Sequence, residues 1–168
     1  MKTRAITTLR VVLAIALAGS AFVQFVMIPL MWMDNDPVPL AVRAPVIVIL
    51  FLGVLALQVV AVCIWKLLGM VRKGTVFSEA AFKYVDIVIG AIFTGATLIF
   101  ALAFTFAISN QMQPNMEMAP GSILLIFGMS VVVAGVALVV VVMRALLAQA
   151  VRRDKEASAY KSELDEVI

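Results

Sequence analysis

The stretch Ala44-Pro-Val-Ile-Val-Ile-Leu-Phe-Leu-Gly-Val-Leu-Ala-Leu-Gln-Val-Val-Ala-Val-Cys-Ile-Trp65 carries no charged residue from end to end. A helix of roughly 20 such residues crosses the hydrocarbon of a bilayer. Three more charge-free runs have the same character: Val11 to Met33, Ile87 to about Asn110, and Ser122 to Met143. A closed β-barrel is the only other way to satisfy backbone groups in lipid. It requires short alternating strands, whereas these runs are continuous. Val131 to Val142 has high β propensity, yet helix is the reading there too, because lipid forces backbone groups to pair within the segment. The expected fold is all-α: an antiparallel four-helix membrane bundle with a C-terminal helical extension. Residues 1–147 would hold spans near 11–33, 44–68, 86–110 and 121–147, and residues 148–168 an amphipathic cytoplasmic tail.

Composition points the same way. Of 168 residues, 64% are apolar and 14% charged, against about 25% charged in an ordinary soluble domain. Mean hydropathy is +1.14. A soluble domain of this size could not hide that much apolar surface. Soluble enzyme, secreted disulfide scaffold, disordered tail and direct nucleic-acid binder are excluded as classes. The absence of His removes imidazole metal sites, His-ligated haem and His bases. The single cysteine, Cys63, allows neither an internal disulfide nor a C-x-x-C pair. No cofactor is expected.

Basic residues set the orientation of a membrane chain. Lys2, Arg4 and Arg10 precede the first span. Lys66, Arg72, Lys73 and Lys83 lie between the second and third. Arg144, Arg152, Arg153, Lys155 and Lys161 follow the last. The other face holds only Arg43, with Asp34, Asp36 and Glu117. The expectation is a cell-membrane protein with both termini and the middle loop in the cytoplasm. Trp32 and Trp65 fall at opposite interfaces, as aromatic belts do. Ala16-Leu17-Ala18 resembles a signal-peptidase site, but the apolar run continues to Met33, longer than a signal core. Cutting there would strand Phe22 to Trp32, so the first span is expected to be retained.

The middle loop carries stop and start signals. Arg72 and Lys73 suit the negative end of the second helix, and Gly74 suits a left-handed C′ position. Ser78 suits an N-cap, Glu79 the positive helix end, and Phe77 with Phe82 a hydrophobic staple. These residues describe a capped corner at the lipid headgroups. The sharper reading makes Arg72, Lys73, Phe77 and Ser78 a partner-binding surface. The basic cluster attracts anionic lipid on either reading.

Val71-Arg72-Lys73-Gly74-Thr75-Val76-Phe77-Ser78 resembles the V/L-R-x-G-x-x-F-S loop of a bacterial four-span membrane family, domain of unknown function 2975. The ending Glu163-Leu164-Asp165-Glu166-Val167-Ile168 is similar to the acidic ending of its members. Ala80-Ala81-Phe82-Lys83 is less basic than the turn that members often carry there. The resemblance covers nearly the whole chain. It implies a membrane partner for a transcription factor and brings no enzymatic activity with it.

The tail has no Gly or Pro from Ala150 onward, and Ala157, Tyr160, Leu164 and Val167 recur at helical spacing as one apolar stripe. Arg152 with Glu156 and Lys161 with Asp165 are i,i+4 pairs. The plain reading is a helix with a lipid-bound base and a solvated tip. The sharper one is a docking helix in which Tyr160, Leu164, Val167 and Ile168 meet a soluble partner.

No Asp, Glu, Lys or Arg lies within the charge-free runs, and the nearest, Lys66, Asp86 and Arg144, are expected at the cytoplasmic ends, which argues against proton-coupled export and intramembrane proteolysis. Gln24 and Gln58 are the strongest polar groups at depth, able to bond across helices. Ser20, Thr94, Thr97, Thr105 and Ser130 are expected to bond their own helix backbones. Ala14/Ala18, Ala91/Gly95 and Ser130/Ala134 are small pairs that mark close helix approach. Pro29 is expected to bend the first helix near its outer end. Met27, Met31 and Met33 share their spacing with Met112, Met116 and Met118, both sets on the outer side. Thioethers select Cu(I), but Met is equally an adaptable apolar filler, so no metal site is assigned.

The leading expectation is a non-enzymatic regulatory or anchoring membrane protein. It would offer its middle loop and tail to a cytoplasmic partner such as a transcriptional regulator. One alternative is an accessory subunit of a larger membrane complex, joining homo- or hetero-oligomers through its spans. The other is a small transporter, which would need a polar cavity lined by Gln24 and Gln58.

Overall fold

The structure, a computed structural model, describes the backbone of residues 2–33, 38–73, 79–112 and 119–167. Side chains are described within these except at 2–5, 72, 73, 79, 80, 154, 155 and 158–167. The described elements are α1 (Lys2–Phe22), a π-helical turn (Val23–Met27), α2 (Ile28–Met33), α3 (Leu40–Lys73), α4 (Glu79–Met112) and α5 (Pro120–Val167). The first three are consecutive and make one N-terminal rod.

The π turn sits just before Pro29. Proline lacks an N–H, and its ring crowds the carbonyl four residues back, here Phe25. Widening the helix relieves that crowding. The Ile28 N–H accordingly donates to Val23 O, five residues back. The irregularity expected from Pro29 thus takes the form of a π turn.

The other helix starts follow from proline too. Pro39 O accepts from the Val42 and Arg43 N–H groups at 3.0 and 3.1 Å, opening α3. Ala119 O accepts from Ser122 N–H at 2.9 Å, which leaves Pro120 at the first helical position, where no N–H is needed. α3 closes at Lys73 and α4 opens at Glu79, the bounds that Gly74 and Ser78 mark. Gly74, Phe77 and Ser78 themselves lie outside the described residues.

Four helical stretches are long and apolar enough to span a membrane: Ile6–Met33, Leu40–Val71, Ala81–Met112 and Pro120–Arg153. They pack as an antiparallel bundle. Advancing along α4 from Asp86 to Phe100 retreats along α5 from Arg144 to Phe127. The N-terminal rod runs antiparallel to α3, with Arg10 beside Gly69, Ser20 beside Gln58 and Met31 beside Arg43. α3 on α4 and α4 on α5 are the extensive contacts, and the N-terminal rod touches α3 more lightly. Gln58 and Ala56 are two residues apart, about 200° around a helix. The rod, held through Gln58, therefore flanks α3 opposite the α4 side that Ala56 faces.

Most of the buried positions are small and several lie seven residues apart: Ala56 and Cys63 on α3, Ala96 and Ala103 on α4, Ser130 and Ala137 on α5. Seven residues are nearly two turns, so each pair lines one seam. Water cannot drive two helices together inside lipid, since acyl chains are as apolar as Leu. Close backbone approach over small side chains supplies dispersion contact instead. The large residues, such as Leu124, Val132 and Leu138, are exposed. They face the acyl chains.

The small pairs behave differently from one another. Ala91 and Gly95 line the α3/α4 seam and Ser130 is buried on α5. Ala14 and Ala18 are exposed, which corrects their reading as a contact face. The rod approaches α3 through Arg10 and Ser20 instead, and Ala14 and Ala18 lie off that line.

Candidate functional site

Antiparallel packing gathers the start of α1, the end of α3, the start of α4 and the far part of α5 at one end. Arg10, Lys66, Lys83, Asp86 and Arg144 share this level, termed here the basic end.

Arg144 and Asp86 are its best-defined pair. Arg144 Nη2 donates to Asp86 Oδ2 at 2.6 Å, and its Nε faces Oδ1 in an ion pair. The guanidinium thus makes one charge-assisted hydrogen bond to this carboxylate, and its Nε, though beside Oδ1, makes none among the described residues. The same guanidinium carbon lies 5.9 Å from the Phe82 ring centre, a cation–π distance. Together they tie α5 to the first turns of α4. Past that tie α5 continues without a break. The pairing register places Glu79 beside residues near 151, so the remaining 16 or so residues of α5 run on for about 24 Å past the start of α4. Arg152 and Glu156 form the expected i,i+4 ion pair at 3.4 Å on this projection.

Inside the span region, polar groups serve packing. Gln58 Nε2 donates to Ser20 Oγ at 3.3 Å, and Ser20 Oγ donates to Leu17 O at 2.9 Å. Gln24, in the π turn, is only 4% exposed. Thr94, Thr97, Thr105 and Ser130 bond carbonyls of their own helices at 2.7 to 2.9 Å, as expected. At the opposite end Arg43 Nη2 donates to Met31 O, capping the rod's last turn. The lone basic residue on that side thus has a structural task.

The described cavities are apolar. One of about 380 Å³ lies between α3 and α4, with Gly53, Ala56, Gly95 and Leu98 in its wall and Val133 of α5 at its edge. Another of about 310 Å³ lies between α4 and α5 beside Phe100, Phe104, Pro120 and Phe127. Neither is lined by Gln24 or Gln58.

The residues singled out from sequence distribute as follows. Arg72 and Lys73 close α3 at the basic end. Tyr160, Leu164 and Val167 lie on the α5 projection, and Phe77, Ser78 and Ile168 lie outside the described residues. Met27, Met31, Met33 and Met112 are exposed on the outer parts of the rod and α4, while Met116 and Met118 lie outside the described residues. Among the described residues no group of three His, Cys, Asp or Glu could hold a metal. The seat of Arg10 against Gly69 and the capping by Arg43 were not legible in the sequence. Both need the partner helix in place.

Fold and site together define a multi-pass, four-helix membrane protein. The chain belongs to the family described as protein of unknown function (DUF2975), which matches residues 33–168. No curated protein and no solved structure matches it.

Proposed function

We propose that this chain is a non-enzymatic regulatory or anchoring protein of the cell membrane, with both termini and the middle loop in the cytoplasm. It presents the loop and tail to a soluble partner such as a transcriptional regulator. The observation that carries the reading is α5, which runs unbroken past the start of α4 at the basic end. A helix that leaves the bundle has no core of its own, and its sequence stripe of Tyr160, Leu164 and Val167 would bury against another protein. The basic end supports an inward orientation through the positive-inside rule. The regulator as partner rests on family resemblance, an associational warrant.

A mild-detergent pull-down tests this. Deleting Leu164 to Ile168 is expected to leave membrane insertion intact and release the soluble partner. Retention of every co-purifying protein would refute the docking role. Cysteines introduced as Arg72→Cys and Arg152→Cys should react only with reagent on the cytoplasmic side. Labelling from outside would overturn the orientation and the partner argument with it.

The groove of about 380 Å³ between α3 and α4 favours a second reading, an accessory subunit of a larger membrane complex. A membrane partner lost on Gly53→Leu or Gly95→Leu, but kept on tail deletion, would select it.

A further inference from the structure

Three arginines stand where packed spans end, and two of them have protein partners. Arg144 is paired with Asp86, and Arg43 donates to Met31 O. Arg10 differs. Its Nε, like that of Arg144, is buried without a hydrogen-bond partner among the described residues, but no described carboxylate stands beside it. Its Nη2 would lie 3.7 Å from a Cβ built on Gly69, so the guanidinium rests across α3 where a glycine leaves room. The side chain thus turns toward the neighbouring helix instead of extending fully into water. Lys66 stands three residues before Gly69 and is exposed. Three-residue spacing puts the two on neighbouring parts of one helix face. No carboxylate pairs with Arg10 or Lys66 among the described residues. The result is two cations at the membrane boundary, one with a donor withdrawn from water, and no anion to meet them among the described residues.

We propose that Arg10, seated on Gly69 and flanked by Lys66, binds the phosphate of an anionic phospholipid in the leaflet at the basic end. A guanidinium offers paired N–H donors that match two phosphate oxygens, and a lysine adds a movable point charge. Two positive charges exceed the single negative charge of a phosphodiester. The site therefore favours headgroups without a compensating cation, phosphatidylglycerol over phosphatidylcholine. Lipid supplies the phosphate because the site sits at headgroup depth, where that leaflet holds phosphate permanently at high local concentration.

The test uses the full chain purified in detergent and measures retained lipid by native mass spectrometry. Equal amounts of phosphatidylglycerol and phosphatidylcholine are supplied. The wild type is expected to retain phosphatidylglycerol preferentially, and Arg10→Gln to lower that retention about tenfold at unchanged helicity. Gly69→Leu fills the seat while keeping every charge, and is expected to give a comparable loss. Arg153→Gln, on the exposed helix surface, should change nothing. If Arg10→Gln fails to fold, Arg10→Lys and Gly69→Leu decide: unchanged retention in both overturns the site. Equal retention of the two lipids by the wild type overturns it as well. Displacement of the lipid by millimolar inorganic phosphate would overturn the assignment to lipid and identify a free-anion site.

Discussion

Ala137→Leu probes the principle on which the bundle is built. Ala137 is 0% exposed and lies one heptad from Ser130 and one from Arg144, along the seam that ends in the Asp86 pair. Leucine adds three carbon atoms at a point where none of the described cavities reaches. In water part of that cost would be offset by burying more apolar surface. In a bilayer it is not, because the leucine leaves one apolar medium for another. The steric term stands alone, about 1–3 kcal/mol for an overpacked core. At about 2 kcal/mol the folding equilibrium falls about 30-fold. Leu138 is 57% exposed and lipid-facing, so Leu138→Ala should cost close to nothing, since acyl chains fill the space. Equilibrium unfolding in mixed micelles of mild detergent and dodecyl sulfate, read by helicity, measures both. If Ala137→Leu is as stable as Leu138→Ala, α4 and α5 do not meet along this seam and the packing argument is wrong.

Other perturbations isolate single contacts. Gln58→Leu should destabilise by about 0.6–2 kcal/mol, and a double-mutant cycle with Ser20→Ala should show less than additive loss. Strict additivity would mean that no bond links the rod to α3. Asp86→Asn should cost about 1 kcal/mol in the same assay, since both side chains of the pair are partly exposed, and the loss should shrink at high salt. A salt-independent loss would point to packing instead of charge. Arg43→Gln should speed amide exchange in the last turn of α2 about two- to fivefold while leaving α1 unchanged. Unchanged exchange at residues 28–33 would show that the cap contributes nothing.

Much of this architecture was legible from residue order because lipid leaves a chain so few choices. The run from Ala44 to Trp65 has to be helical, and Lys73-Gly74 and Ser78-Glu79 mark where helices stop and start. Those bounds agree with the helix ends found at Lys73 and Glu79. Thr94, Thr97 and Thr105 bond their own helices for an equally local reason: each hydroxyl reaches the carbonyl four residues back. Facing was less legible. Ala14 and Ala18 have the spacing of a contact pair, yet they are exposed. In a span that is apolar all round, no polar face tells which side is inward. The candidate site divides in the same way. The positions of Arg72 and Lys73 at the end of α3 follow from helix signals, whereas the seat of Arg10 on Gly69 follows from nothing near it in the chain.

Sequence by itself determined that this protein crosses a membrane on four helices, and where α3 ends and α4 begins. These are local matters of hydropathy, capping and backbone satisfaction. Tertiary structure alone decided that Asp86 meets Arg144, that Ser20 meets Gln58, and that Arg10 lies on Gly69. Each joins residues far apart in the chain. Which of many similar apolar faces meet is set by small differences in shape, and a linear pattern of greasy residues does not encode those differences legibly.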